Sequence, residues 1–231
     1  MRPKRGWVAT REEVRTIRHC SLFRGIRSHA LATLIRAGRA RSAKRGDVLV
    51  RQGDPPARVY CLLAGAGKFI RTGPKGEEVV LGFLWPGDAF GYVAVLGGTN
   101  QQYTMQMTEN GRVLAWDAGA IMRMLRPSPA VATNALRLIA ARLEVDWLRL
   151  QDLAAGPVER RVARALLRLA RSKGEVLPII HQDLAEYVGT TAPTLSRILR
   201  RWKVQGLVDA GRASIQIRQT AGLTAIAEDP K

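Results

Sequence analysis

The sequence predicts an α+β chain: an antiparallel β-roll, then one long helix, then a small winged helix-turn-helix domain. Three observations predict it. Between Ala40 and Asp117 short strand-like runs are punctuated by Gly, Pro and Asn-Gly. From Val131 to Ala155 apolar residues recur at steps of three or four along one unbroken segment. The stretch from Gln182 to Val208, "QDLAEYVGTTAPTLSRILRRWKVQGLV", reads as two short helices broken at "VGTT".

Composition narrows the class. The chain has 231 residues, 46% of them hydrophobic, enough for two modest domains with real cores. Lys and Arg total 37 against 19 acidic residues, a net charge of +18, which points to a polyanion such as nucleic acid ahead of a membrane surface. The charge does not locate a site, because from Pro157 onward there are only 13 basic and seven acidic residues and the larger excess lies upstream. The basic start "MRPKRGWVATREEVR" is followed by no apolar export segment, and nowhere do about 18 apolar residues run together, so a soluble cytoplasmic protein without a membrane partner is expected. Cys20 and Cys61 are far apart and form no CxxC or Cys/His cluster, which argues against a disulfide framework, a structural zinc or an iron–sulfur site.

The elements follow in order. Glu12 to Gly38 reads as short covering helices, "REEVRTIRHC" and "SHALATLIRAG", with Gly38 as a stop. The runs "DVLVRQGD", "RVYCLLAGAGKFIRTG", "EEVVLGFLWPGD" and "YTMQMTENGRVLAWD" are the strands of the roll. "AGAIMRMLRPSP" is a short helix stopped by two prolines. The long segment carries Leu136, Ile139, Leu143, Trp147, Leu150 and Leu153 on one stripe. A stripe of that length between two domains needs a partner, and a seam with a second copy is preferred over packing on its own roll. Gly156-Pro157 is the expected hinge. The expected domains are therefore 1–127 (roll with flanking helices), 128–156 (dimer helix and hinge) and 157–231.

In the last domain "PVERRVARALLRLARSKG" is an amphipathic helix with Val162, Ala165, Leu166, Leu169 and Ala170 on one face. Gln182 to Tyr187 is the next; Gly189 supplies a tight turn, and Thr190 or Thr191 caps a further helix ahead of Pro193. Leu184, Ala185, Val188, Leu195, Ile198 and Leu199 face inward, leaving Thr194, Ser196, Arg197, Arg200 and Arg201 outward. Such a helix suits the major groove, where Arg bonds guanine bidentately and Ser or Thr reaches bases or phosphates. "LVDAGRASIQIR" adds two strands and a turn, a wing whose Arg212 reaches DNA backbone. The bland alternative, a protein-docking domain whose arginines are merely solvated, must deny the agreement of turn, cap, arginines, wing and net charge.

This order of elements resembles the CRP/FNR family of bacterial transcription regulators, and the resemblance covers almost the whole chain. In the roll, "GDVLVRQGD", "VYCLLAGAGKF" and "GEEVVLGFLWPGDAFG" are similar to the family's glycine-spaced pattern, with Gly46, Gly53, Gly65, Gly76, Gly87 and Gly91 in the turns. "ARLEVDWLRLQDLAAGPVERRVARALLRLA" is similar to its dimer helix, hinge and first DNA-domain helix, and "PTLSRIL" to its recognition-helix core. The resemblance implies a cyclic-nucleotide-binding-like jelly roll as sensor, a homodimer, a near-palindromic operator in double-stranded DNA, RNA polymerase as a further partner, and no enzyme activity. No Walker loop, Ser/His/Asp order or metal-ligand cluster opposes that last expectation.

Departures from the family pattern shape the rest. Members that bind cyclic AMP carry a Glu for the ribose after "FG" and later an Arg-Ser pair for the phosphate. Here Phe90 and Gly91 are followed by Tyr92, and the later positions read Gln102 and Tyr103. The pair that touches adenine on the dimer helix is replaced by Asp146 and Trp147. Charge-assisted bonds are lost, so cyclic AMP in its usual pose is not expected. The N-terminal cysteine cluster of oxygen-sensing relatives is absent, with Cys20 alone in that region. Haem stays a lesser option: Met105, Met107 and Tyr103 could line a haem or apolar pocket, but His19, His29 and His181 read as structural and Met on a strand face reads more simply as core filler. An effector-free regulator controlled by its own abundance is the remaining alternative within the class, and a ligand-binding scaffold without DNA readout the alternative outside it. In the recognition helix Thr194, Ser196 and Arg197 match the family's T-x-S-R, but Pro193 replaces the preceding Glu, so the half-site differs. Arg197 is the expected base reader; Arg200, Arg201, Lys203 and Arg212 are expected phosphate contacts, with Thr191 beside them.

Overall fold

The computed structural model describes residues 9–125 and 129–228, which form two compact units, 9–77 with 81–142 and 78–80 with 143–228. The expected boundary at 127/128, Pro127 and most of the basic start lie outside the described residues.

The first unit opens with α1 (Arg11–His19), capped reciprocally by Thr10 and Glu13. A 3-10 turn at Ser21–Phe23 and α2 (Ser28–Ala37) follow. Gly38 ends α2, but not by a left-handed turn: at φ −79° and ψ 155° it is extended, a conformation open to any residue. Its smallness is a packing requirement, since a Cβ there would lie 2.6 Å from Leu114 Cδ1.

Eight strands make the roll: β1 (Arg39–Ala43), β2 (Val48–Val50), β3 (Arg58–Ala64), β4 (Gly67–Thr72), β5 (Glu78–Leu84), β6 (Ala89–Phe90), β7 (Thr104–Met107) and β8 (Gly111–Asp117). They pair as two four-stranded sheets, β1-β8-β3-β6 and β2-β7-β4-β5, and the pairings β1–β8, β3–β8, β3–β6, β2–β7 and β4–β7 are antiparallel. The six glycines named for their turns all have φ between +80° and +98°. A short helix, α3 (Tyr92–Gly97), follows β6.

The run "RVYCLLA" lacks alternation because β3 is buried on both faces. Tyr60 and Leu62 point into the roll with Val113 and Ala115 of β8, Leu84, Phe90, Met105 and Met107. Val59, Cys61 and Leu63 point the other way, with Leu114 and Trp116, onto a second core built from Ile17, Leu22, Phe23, Leu31, Leu34 and Ile121. Trp116 anchors that core: its ring meets Phe23 edge-on at 5.2 Å and its Nε1 donates to Leu34 O at 2.8 Å. Cys20 and Cys61, far apart in sequence, both lie fully buried in it as free thiols. A hydrogen bond with Cys20, and then burial, push the Cys61 thiol well up.

After α4 (Ala118–Leu125) comes α5 (Pro129–Ala155), whose Val131 and Ala135 close the second core. Buried Asn134 ties it down by donating from Nδ2 to Arg24 O at 2.7 Å and Leu22 O at 3.3 Å. The predicted stripe is left uncovered. Leu136 is 69%, Trp147 64% and Leu150 66% exposed, and Ile139, Leu143 and Leu153 are exposed as well.

In the second unit Pro157 stands at the N-cap of α6 (Val158–Lys173) without a side-chain capping bond. Then come β9 (Val176–Leu177), α7 (His181–Val188), α8 (Ala192–Val204), β10 (Val208–Ala210), β11 (Ile215–Ile217) and α9 (Thr220–Glu228). The wing has three strands in the order β10-β11-β9, one more than the sequence suggested. Its core contains Val162, Ala165, Leu166, Leu184, Leu195, Leu199, Trp202, Ile215, Ile217 and Leu223, all essentially inaccessible. Among the described residues no helix is long and apolar enough to cross a membrane.

Candidate nucleic-acid interface and roll interior

The helix-turn-helix is built as its residues dictate. Gly189 ends α7 in the left-handed region at φ +68° and ψ +49°, which favours glycine, and a Cβ there would sit 2.5 Å from Leu153 Cδ2 and push that side chain aside. Thr191 is the N-cap of α8: its Oγ1 accepts from Thr194 N at 3.4 Å and donates to Thr194 Oγ1 at 3.0 Å. Leu184, Ala185, Val188, Leu195, Ile198 and Leu199 are all buried between the helices and their unit's core.

The polar residues of α8 and the wing fall into three groups. Arg197, Arg200 and Arg212 are exposed and have no ion-pair partner among the described residues. Arg201 and Lys203 are exposed but engaged. Arg201 Nη2 pairs with Glu159 Oε2 on α6, and Lys203 Nζ with Asp209 Oδ1 at 2.7 Å. The Lys203 ammonium, with Arg218 behind it, holds the Asp209 carboxyl below its ordinary range. Ser196 is half-buried and turned toward α7, with its hydroxyl 3.1 Å from His181 Nδ1; Thr194 is half-buried at the cap. His181 is lowered below the ordinary imidazole value by burial. Glu159, Asp209 and His181, the partners that sort these groups, carry no local sequence signal. Glu159 also accepts from buried Trp202 Nε1 at 2.8 Å, which fixes α8 on α6.

The roll interior brings together Phe90, Gly91 and Tyr103, whereas Tyr92 packs against the second core. Gly91, at φ +80°, donates its N–H to Tyr103 Oη at 3.1 Å, and a Cβ there would meet Arg58 O at 2.5 Å. The Tyr103 ring meets Phe69 edge-on at 4.5 Å, and Tyr60 stacks on Phe90 at 4.8 Å. Met105 and Met107, 0% and 1% exposed, fill the core. Burial pushes the Tyr92 hydroxyl up to about 12 and raises Tyr103 too. Gln102 stands apart, exposed, its amide donating to Asn100 O at 2.9 Å. Asp146 and Trp147 lie on α5, where Asp146 pairs with Arg149 at 3.7 Å. His19 and His29 are exposed on α1 and α2, and His181 belongs to α7. Among the described residues no three His, Cys, Asp or Glu gather to hold a metal ion.

The "Cyclic nucleotide-binding domain" family matches residues 40–128, and the "Crp-like helix-turn-helix domain" family residues 160–226. The chain is 30% identical over 207 residues to a "Cyclic AMP receptor protein" of Thermus thermophilus, covering 89% of this chain and 96% of that one. It is 26% identical over 210 residues to a "CRP-like cAMP-activated global transcriptional regulator" of Mycobacterium tuberculosis, covering 87% and 94%. Among solved structures, the Thermus thermophilus Catabolite Activator Protein aligns over 90% of this chain and 98% of its own with a TM-score of 0.53 at 30% identity. FixK2 from Bradyrhizobium japonicum aligns over 84% and 99% with a TM-score of 0.75 at 20% identity, a likeness of fold. With a roll and a winged helix-turn-helix that each match their family over most of their length, the chain belongs to the CRP/FNR family: it is a transcription regulator with a helix-turn-helix DNA-binding domain, not an enzyme.

Proposed function

We propose that the protein is a homodimer that binds a near-palindromic site in double-stranded DNA, its two recognition helices entering successive major grooves about one helical turn apart. The observation that carries the reading is the sorting of cations on α8: Arg197 and Arg200 are exposed without a carboxylate partner, while their neighbours Arg201 and Lys203 are neutralised by Glu159 and Asp209. Arg197 reads a base; Arg200 and Arg212 hold phosphates. The uncovered stripe of Leu136, Ile139, Leu143, Trp147 and Leu150 is the face that a second copy covers. Selection of bound sequences from a random duplex pool tests half-site, spacing and stoichiometry together. Arg197→Ala is expected to lose about 1 to 3 kcal/mol concentrated at one base position of each half-site. Unchanged base preference in that variant overturns the assignment.

The effector, in this reading, is not cyclic AMP in its usual pose. A specific observation favours the effector-free version: the Gly91 N–H is taken by the chain's own Tyr103, and aromatic and methionine side chains pack the interior. Native mass and absorbance of freshly purified protein decide it, because a retained chromophore or small molecule eliminates the effector-free version. Docking on RNA polymerase and a cytoplasmic location complete the proposal.

A further inference from the structure

The last turns of α5 are tied into the DNA-binding unit by a buried polar cluster that groove reading does not use. Asp152 is 4% exposed. Its Oδ1 accepts from Arg164 Nη1 at 2.6 Å and its Oδ2 from Arg168 Nη1 at 2.9 Å, so each oxygen has its own guanidinium. Arg164 and Arg168 are four residues apart, on one face of α6. A carboxylate this buried is tolerated only while so paired, and removing the partnership is far costlier than any exposed ion pair.

Neighbouring contacts point the same way. The Arg149 guanidinium lies 4.1 Å from the centroid of the Tyr187 ring, and its Nη2 donates to Tyr187 O at 2.8 Å. Leu153 packs on the turn glycine Gly189. The corner after α5 is closed by hydrogen bonds: Gly156 N–H donates to Asp152 O at 2.8 Å, and Arg161 donates to Gly156 O at 3.3 Å and Gly189 O at 2.9 Å. On its other side α6 holds the recognition helix through Glu159 and Trp202. Polar contacts therefore join α5 to α6 and α6 to α8, and hydrogen bonds close the corner at Gly156-Pro157.

We infer that Asp152 is a positioning residue for DNA binding. By clamping Arg164 and Arg168 it fixes each recognition helix on its own α5, and so sets the half-site spacing that the dimer accepts. The inference rests on the dimeric reading above.

The test uses the full-length protein and the selected operator, together with versions lengthened or shortened by one base pair between half-sites. Wild-type protein is expected to bind the altered spacings at least about tenfold more weakly, since one base pair turns a half-site by about a tenth of a helical turn. Asp152→Asn is expected to shrink that penalty several-fold while leaving the base preference within each half-site unchanged, a split that a mere loss of folded protein does not produce. Should Asp152→Asn fail to fold, Arg168→Gln, which leaves Asp152 its bond to Arg164, carries the same expectation. A folded variant that keeps the full spacing penalty overturns the positioning role alone. Wild-type protein that binds duplex but ignores spacing overturns the dimeric reading, and the positioning role with it.

Discussion

The ionic-strength dependence of DNA binding separates the cations that the structure leaves available from those it has paired. Each phosphate neutralised by Lys or Arg contributes about −0.9 to the slope of log K against log salt concentration. Four side chains per subunit, Arg200, Arg201, Lys203 and Arg212, were expected from sequence to hold phosphates, which for two subunits gives a slope of about −7 from this face. Arg201 and Lys203 already hold Glu159 and Asp209, so on the proposed reading only Arg200 and Arg212 of these four are expected to release counterions in full. Four phosphates then give a slope of about −3.6, a loss of about 150-fold between 50 and 200 mM salt instead of about 20,000-fold. Fluorescence anisotropy of a labelled operator across a salt series measures it. Arg200→Ala flattens the slope by about 1.8 units per dimer, and Asp209→Asn, by releasing Lys203, steepens it by up to as much. A wild-type slope near −7 that Asp209→Asn leaves alone refutes the reasoning, because it means that the pairs with Glu159 and Asp209 do not compete with DNA.

Three further outcomes are expected. Gly91→Ala places a Cβ 2.5 Å from Arg58 O at φ +80°, so it costs at least about 2 kcal/mol of stability, read as a fall in thermal midpoint; an unchanged midpoint contradicts the packing described. Tyr103→Phe strips the Gly91 N–H of its acceptor and costs about 1 to 2 kcal/mol by chemical denaturation. For His181 the folded imidazole is lowered by burial, so the unfolded chain binds the proton more readily and stability is present above the ordinary value of 6.5 and lost as pH falls through the lowered one. Thermal melts from pH 8 to 5 are expected to show wild-type protein losing more stability on acidification than His181→Gln; the opposite order refutes it.

What was legible in the sequence was what short-range chemistry decides. Gly189, Thr191 and Pro193 specify a turn, a cap and a helix start within five residues, and each stands where that chemistry places it. The strand runs were legible because turn glycines punctuate them. β9 was not: it is two residues long, and Leu177 finds its register only against Ile215, far along the chain. Gly38 looked like a stop, yet its reason is the Leu114 side chain, which no local rule could supply. Cys20 and Cys61 looked unrelated because sequence distance says nothing about which residues meet once α1 lies on β3.

The site shows the same limit in electrostatic form. A net charge of +18 and an arginine-rich helix do identify a polyanion binder, but they count every cation alike. Glu159 stands in the first turn of α6, more than forty residues from the arginine it engages, and Asp209 opens the wing. Neither spacing is one at which helical neighbours meet, so the neutralisation of Arg201 and Lys203 arises only from tertiary packing. The same packing buries Asp152 between Arg164 and Arg168, turning two arginines that composition assigns to the DNA-attracting charge into a clamp. On the proposed reading, affinity for DNA is therefore expected to depend less on how many arginines the chain carries than on which of them its carboxylates have left unpaired.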